Sequence, residues 1–252
     1  MYLTIKGLVL RSTGFNDSDA LLTILTHDKG NITVKARGIY RKNSPLVAAC
    51  QLLTYSEFVL FEHRGYYTVN EAHSIEQFLP LRRDLNMLSL CSYFAQTAEV
   101  LSQEDMPNPE LLSLVLNCMF ALYKLNVNET LAKSVFELRC ACLSGYRPIL
   151  FGCYNCGNPW PDRFNIKEGY LECSCCRMSD TTGIRMPITK GALEAMRYIC
   201  TCDPKQLFSF QIGKASLRCL ADIAESYLST HLERGFSSLD FYKSLLVDSG
   251  SF

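Results

Sequence analysis

The sequence has no excess of either charge, little histidine and a single tryptophan. Lysine plus arginine equals aspartate plus glutamate, at 25 each, so a nucleic-acid partner would have to be met by a local basic surface and not by a bulk field. The four histidines are His27, His63, His73 and His231. None forms His-x-x-x-His or a recognisable acid pairing, and His27 and His63 fall in turns, where a solvated role is expected. There is no Gly-x-x-x-x-Gly-Lys-[Ser/Thr] phosphate loop, no Gly-x-Gly-x-x-Gly and no Gly-x-Ser-x-Gly elbow. The common nucleotide-binding and hydrolase signatures are therefore missing, and the chain is read as a non-enzyme. No apolar run reaches membrane-spanning length. Met1-Tyr2-Leu3-Thr4-Ile5-Lys6 lacks the basic start and long apolar core of a secretory signal. Internal repeats and low-complexity segments are absent too.

Cysteine, by contrast, is plentiful. There are thirteen, an odd number, and without a secretory signal they argue for a reducing cytoplasm and against a disulfide scaffold. Cys153-Tyr154-Asn155-Cys156 and Cys173-Ser174-Cys175-Cys176 stand sixteen residues apart. Two Cys-x-x-Cys pairs at this separation have the register of a structural zinc site, because two tight turns can complete one tetrahedral shell. The expected ligands of one zinc per chain are Cys153, Cys156, Cys173 and Cys176, with Cys175 a bystander. Four thiolates leave no open position for water, so such a site holds structure and does no chemistry. Gly157 and Gly169 suit the turns of a ribbon, and Phe164-Asn165-Ile166 with Tyr170-Leu171 suits a hairpin over the metal. The remaining cysteines, Cys50, Cys91, Cys118, Cys140, Cys142, Cys200, Cys202 and Cys219, mostly fall on apolar positions, as small hydrophobes do. Trp160, between Pro159 and Pro161, reads either as a cap on the ribbon or as an exposed contact.

The 252 residues, 48 % of them hydrophobic, suffice for one large domain or two modest ones. Residues 1 to about 80 predict strands at Leu3–Leu10, Ala20–Thr26, Asn31–Ala36, Leu52–Glu62 and Gly65–Ala72, with turns at Asn16-Asp17-Ser18-Asp19 and His27-Asp28-Lys29-Gly30. Five short strands suggest a small twisted barrel. An OB-fold fits the count and length, and an SH3-like barrel fits the count nearly as well. Beyond Pro80 the spacing becomes helical: Asp84–Gln103, Glu110–Leu125, Glu129–Leu143, Thr189–Cys200, Ile212–Glu233 and Phe236–Val247. The expected architecture is α+β and multidomain. An N-terminal barrel (1–80) precedes an all-α domain (81–252), into which the zinc ribbon is inserted at about 150–180.

One loop stands out chemically. Lys35-Ala36-Arg37-Gly38-Ile39-Tyr40-Arg41-Lys42-Asn43-Ser44-Pro45 is basic and contains no acid. Arg11 joins it if the barrel brings the two together. Barrels that bind single strands combine a basic groove with aromatic platforms, so Arg11, Lys35, Arg37, Tyr40, Arg41 and Lys42 are the candidate nucleic-acid contacts. Acids and bases are nearly balanced over the first 80 residues, so binding would rest on placement.

Four stretches carry a family resemblance over essentially the whole chain. They are Gly7-Leu8-Val9-Leu10 through Asn16-Asp17-Ser18-Asp19, and Ala36-Arg37-Gly38 with Arg41-Lys42 and Ser44. The third is Phe136-Glu137-Leu138-Arg139 followed by Leu143-Ser144-Gly145-Tyr146-Arg147-Pro148. The fourth is Cys153-x-x-Cys156 with Gly169-Tyr170-Leu171-Glu172-Cys173-x-x-Cys176. The chain resembles the bacterial RecO recombination mediators, with Cys175 and the zero net charge as departures. The resemblance implies an OB-fold at residues 1–80. It implies a cytoplasmic, nucleoid-associated protein that binds single- and double-stranded DNA and anneals complementary strands. It also implies that, with RecR, the protein helps load RecA onto strands coated by single-strand binding protein (SSB). The helical domain would receive the acidic, apolar C-terminal tail of SSB, for which Arg139 and Lys243 are the candidate cations. The other reading is a zinc-ribbon transcription or RNA-binding factor that does not engage SSB.

Overall fold

The computed structural model describes residues 1–176 and 183–248. Its first five strands are β1 (Tyr2–Gly14), β2 (Ala20–Thr26), β3 (Asn31–Ala36), β4 (Tyr55–His63) and β5 (Tyr66–Glu76). They close into a barrel in the order β1-β2-β3-β5-β4, with β3 and β5 parallel and the other pairs antiparallel. This Greek-key closure is the OB-fold order and settles the choice against an SH3-like barrel. Alternate residues point inward: Leu22 and Ile24, Ile32 and Val34, Phe58 and Leu60 are all buried. β1 is longer than expected because it serves two partners. Its first half pairs with β4, its second with β2, and the register shifts between Val9 and Arg11 where the strand bends. Gly7 sits at that crossing; a Cβ there would collide with Ile24 and lie 2.8 Å from the Leu25 carbonyl oxygen.

Helices α1 (Leu79–Arg83), α2 (Leu85–Leu101), α3 (Pro109–Lys124) and α4 (Glu129–Leu143) follow. Next come β6 (Ile149–Cys153), β7 (Arg163–Asn165), β8 (Tyr170–Glu172), β9 (Arg185–Pro187), α5 (Lys190–Thr201), α6 (Lys214–Leu232) and α7 (Ser237–Asp248). The chain divides into two compact units, Met1–Tyr123 with Phe236–Phe252, and Lys124–Gly235. In the first unit α2 packs on α7 and on the barrel strands β1 and β2. Tyr93 and Phe236 meet edge to face at 5.4 Å, and Ser238 donates to Gln96 Oε1 at 2.5 Å. Residue 80 therefore lies inside the first unit. The short α1 was not expected, because helical spacing begins only at Asp84; Pro80 stands in its first turn, where proline is tolerated. Arg82 of α1 donates to the Leu52 carbonyl at 3.3 Å and to Thr54 Oγ1 at 3.2 Å, which ties the helix to the barrel.

In the second unit β6, β8, β7 and β9 form one small sheet in that order. The expected hairpin is β7–β8. β6 and β9 are additions, too short to show periodicity. Residues 177–182, where the ribbon's expected end at about 180 falls, lie outside the described residues. Helix α5 begins at the expected cap, with Thr189 Oγ1 accepting from the Ala192 N–H at 3.2 Å. Helices α4 and α6 pack through a buried ionic group. Lys133 Nζ lies 2.9 Å from Glu137 Oε1 and 2.7 Å from Glu225 Oε2. No helix of the described residues is long and apolar enough to cross a membrane.

Candidate nucleic-acid interface and metal centre

The basic loop leaves β3 as a run of tight turns. The Arg41 N–H donates to the Gly38 carbonyl at 3.1 Å, and the Ser44 N–H to the Arg41 carbonyl at 3.1 Å. Gly38 has φ +66°, a left-handed conformation that side chains resist. Ile39 turns inward and joins Leu46 and Cys50 in the barrel core; burial pushes the Cys50 thiol up to about 12. The alternation leaves Arg37, Tyr40, Arg41 and Lys42 exposed. The turn before β2 fixes this geometry. Asp19 Oδ1 accepts from the Gly38 N–H at 2.9 Å, and the Ser18 carbonyl accepts from the Tyr40 N–H at 3.0 Å. The Gly38 N–H, then Lys35, hold the Asp19 carboxyl at about 2, below its ordinary 3.8. Sequence reasoning read Ser18 and Asp19 only as turn formers. Their role in holding the loop had a weak signal, an Asp opening a strand that pairs with β3.

Two candidate cations are already engaged. Lys35 Nζ lies 3.1 Å from Asp19 Oδ2 and 4.5 Å from the Phe15 ring centroid. Arg11 bonds Glu99 Oε1 at 2.8 Å and sits on β1 opposite Thr23, with β2 between it and β3. Arg37, Arg41 and Lys42 make no ion pair among the described residues. The loop thus presents three uncommitted cations around one exposed aromatic, a surface suited to phosphates and an unstacked base.

In the second unit the sulfurs of Cys153, Cys156, Cys173 and Cys176 all lie within 4.8 Å of one another. Cys156 Sγ and Cys173 Sγ are 3.9 Å apart. Thiolates about 2.3 Å from one ion in a tetrahedron would stand roughly 3.8 Å apart, so the donor set fits. Cys153 ends β6 and Cys173 follows β8. Each opens a tight turn: the Gly157 N–H donates to the Cys153 carbonyl at 2.9 Å, and the Cys176 N–H to the Cys173 carbonyl at 3.1 Å. Asn155 Nδ2 donates to the Cys176 carbonyl at 3.1 Å and links the two turns. The sulfurs also receive donors. The Cys173 N–H lies 3.3 Å from Cys153 Sγ, and Asn158 Nδ2 lies 3.2 Å from Cys173 Sγ. Burial opposes ionisation of Cys153, but the backbone N–H groups of Cys156, Asn155 and Cys173 outweigh it and bring the thiol to about 6. The Asn158 amide favours the Cys173 thiolate, yet burial and the neighbouring thiols push that group up to about 11. Neighbouring Cys156 raises Cys176 further. A cluster in which one thiolate suppresses the next is what a bound cation relieves. Cys175 is exposed and stands outside the four-sulfur group.

Arg139, a candidate partner-binding cation, donates through Nη1 to the carbonyls of Ile199 (3.2 Å) and Cys202 (3.4 Å) at the end of α5. Lys243 belongs to α7 in the first unit. Trp160 lies under two cations, with Lys190 Nζ 4.2 Å and the Arg197 guanidinium 5.0 Å from its ring centroid. Arg197 also bonds the Leu150, Phe151 and Pro159 carbonyls, so the tryptophan is part of the clasp between α5 and the ribbon.

Comparison with known families matches residues 1–78 to "Recombination protein O N terminal" and residues 82–240 to "Recombination protein O C terminal". The chain belongs to the RecO family. A DNA repair protein RecO from Acetivibrio thermocellus is 34 % identical over 247 residues, 97 % of each chain. Those of Alkaliphilus metalliredigens and Heliobacterium modesticaldum are each 30 % identical; they cover 97 % and 95 % of this chain, and it covers 100 % and 89 % of theirs. Membership of the RecO family accounts for the order of parts, with the barrel first and the four-cysteine segment within the C-terminal match.

Proposed function

We propose that this chain is a non-enzymatic, DNA-binding recombination mediator of DNA repair, working in the bacterial cytoplasm. It binds single- and double-stranded DNA, anneals complementary strands and, with RecR, helps RecA load onto SSB-coated single strands. The observation that carries the reading is the exposed, acid-free group of Arg37, Tyr40, Arg41 and Lys42 on an OB-fold barrel in a RecO-family chain. Arg11, exposed in its pair with Glu99, reinforces it when a phosphate competes, since exposed ion pairs are worth only about 0–1 kcal/mol; Lys35, in a half-buried pair with Asp19, adds less. Residues 1–80 supply this DNA surface. The part beyond residue 80 receives the SSB tail, with Arg139 and Lys243 as the cations to test first. The four-cysteine site holds one structural zinc. The metal adds folding free energy to the ribbon and leaves no open coordination position.

A strand-annealing assay with and without SSB, at two salt concentrations, tests the proposal. Annealing that persists on SSB-coated strands and weakens with salt is expected. DNA or RNA binding with no annealing and no response to SSB would refute the mediator role and favour a zinc-ribbon transcription or RNA-binding factor.

A further inference from the structure

The outer face of the barrel carries an aromatic group that neither the basic loop nor the metal centre uses. Tyr2, Phe61 and Tyr66 are 61, 40 and 79 % exposed, and His63 is exposed beside them. Register explains the cluster. Tyr2 faces Phe61 across β1 and β4, and His63 faces Tyr66 across β4 and β5. Phe61 and His63 are two apart on one strand and so share a face, while Glu62 between them alternates to the other. The Tyr2 and Phe61 ring centroids are 5.2 Å apart. Phe61 and His63 lie parallel to within 6°, at 6.4 Å. The core beneath is already filled by Phe58, Leu60 and Val69, so folding does not call for these rings.

The same register joins the cluster to the loop. Lys35 pairs with Thr68, Thr68 with Phe61, and Phe61 with Tyr2. One row of residues thus crosses four strands, from the start of the basic loop to the aromatic group. Three interstrand steps of about 4.8 Å span roughly 14 Å. A cation flanks the aromatic group as well: Arg64 is exposed in the β4–β5 turn between His63 and Tyr66.

We propose that Tyr2, Phe61, His63 and Tyr66 form a base-stacking platform for single-stranded DNA, continuing the strand path that begins at Arg37, Arg41 and Lys42. This rests on the DNA-binding reading of the loop and assigns it a second contact. Every base has a π face, so the platform is indifferent to sequence. Duplex bases are already stacked on each other, so the platform favours unpaired strands, whereas the loop's phosphate contacts serve both forms.

The test uses the full chain and three fluorescent probes: oligo(dT), an abasic strand of the same length, and a duplex. Tyr2→Ala/Phe61→Ala should weaken oligo(dT) binding at least about fivefold, the lower end expected for one lost stacked base. Its affinity for the abasic strand and the duplex should match wild type. Unchanged oligo(dT) affinity, or an equal loss on all three probes, overturns the platform. A second readout avoids dependence on the alanine variant folding. Phe61→Trp, compared with wild type, should show fluorescence quenched by oligo(dT) and not by the abasic strand; a signal indifferent to oligo(dT) also overturns the platform. Failure of the loop reading looks different: Arg37→Ala/Arg41→Ala/Lys42→Ala would then bind all three probes as wild type does.

Discussion

Replacing Arg37, Arg41 and Lys42 together by alanine is the perturbation that most directly probes the proposed DNA surface. All three are exposed and none makes an ion pair among the described residues, so each is available to a phosphate without first leaving an acid. On single strands each phosphate contact contributes about 0.7 to the slope of log affinity against log salt. Three lost contacts should flatten the slope by about 2. Between about 50 and 200 mM salt, wild type should therefore lose roughly sixteenfold more affinity than the triple variant. Fluorescence anisotropy on two unrelated single-stranded sequences gives both slopes, and the loss should be similar on each because phosphate contacts carry no sequence information. Lys35→Ala should change the slope less than any one of the three, since its charge is shared with Asp19 at 3.1 Å. An unchanged slope in the triple variant would refute the assignment and move the phosphate contacts off this loop.

Other expectations concern what holds each unit together. Cys153→Ser or Cys176→Ser should drop the metal content below one zinc per chain by elemental analysis, while Cys175→Ser should keep it. Metal loss in Cys175→Ser with retention in Cys173→Ser would reverse the ligand assignment. The Asp19 carboxyl lies at about 2 in the fold against an ordinary 3.8. Its stabilising contribution is thus full above about pH 4 and lost as pH falls toward 2; the gap in denaturation midpoint between wild type and Asp19→Asn should close over that window. Lys133→Met would leave Glu137, 0 % exposed, without the cation at 2.9 Å. The expected cost is about 3–5 kcal/mol in urea unfolding, partly recovered by Lys133→Met/Glu137→Gln.

The barrel was legible because local rules agree there. β2, β3 and α4 begin and end where the turn clusters and caps place them, since each boundary is set by neighbours in sequence. The four-cysteine register was legible for the same reason: the metal-binding turns are local, and only their meeting is not. The OB order was not decidable from strand count, because it depends on β3 running parallel to β5, a non-local pairing. Lys35 and Arg11 looked like free cations because their acids, Asp19 and Glu99, arrive through tertiary structure. Trp160 was undecidable in the same way; Lys190 and Arg197 reach it from α5. The aromatic platform escaped notice because Tyr2, Phe61 and Tyr66 are unremarkable in strands, and only register shows that they share the outer face.

A chain with no net charge can still present a strongly basic path, and the barrel shows how. Its cations fall into two sets. Lys6, Arg11, Lys29 and Lys35 each lie within 4 Å of a carboxylate, from Glu57, Glu99, Asp105 and Asp19 respectively. Lys35–Asp19 is half-buried and the other three, more exposed, add little stability, but together the four pairs cancel the field of half the barrel's bases. Arg37, Arg41, Lys42 and Arg64 make no ion pair among the described residues and are exposed. Three of these stand in the basic loop, and the fourth stands in the turn between His63 and Tyr66. The uncompensated charge thus stands in two places, the basic loop that follows Lys35 and the β4–β5 turn between His63 and Tyr66. Phosphates would be drawn to these two places, and bases lying against Tyr2, Phe61, His63 and Tyr66 would meet rings and not charges. Steering of this kind depends on where the unpaired cations are, not on how many the whole chain contains. Arg64→Glu should therefore weaken single-strand binding more than Lys6→Glu at the cation already paired with Glu57, although each lowers the net charge by two.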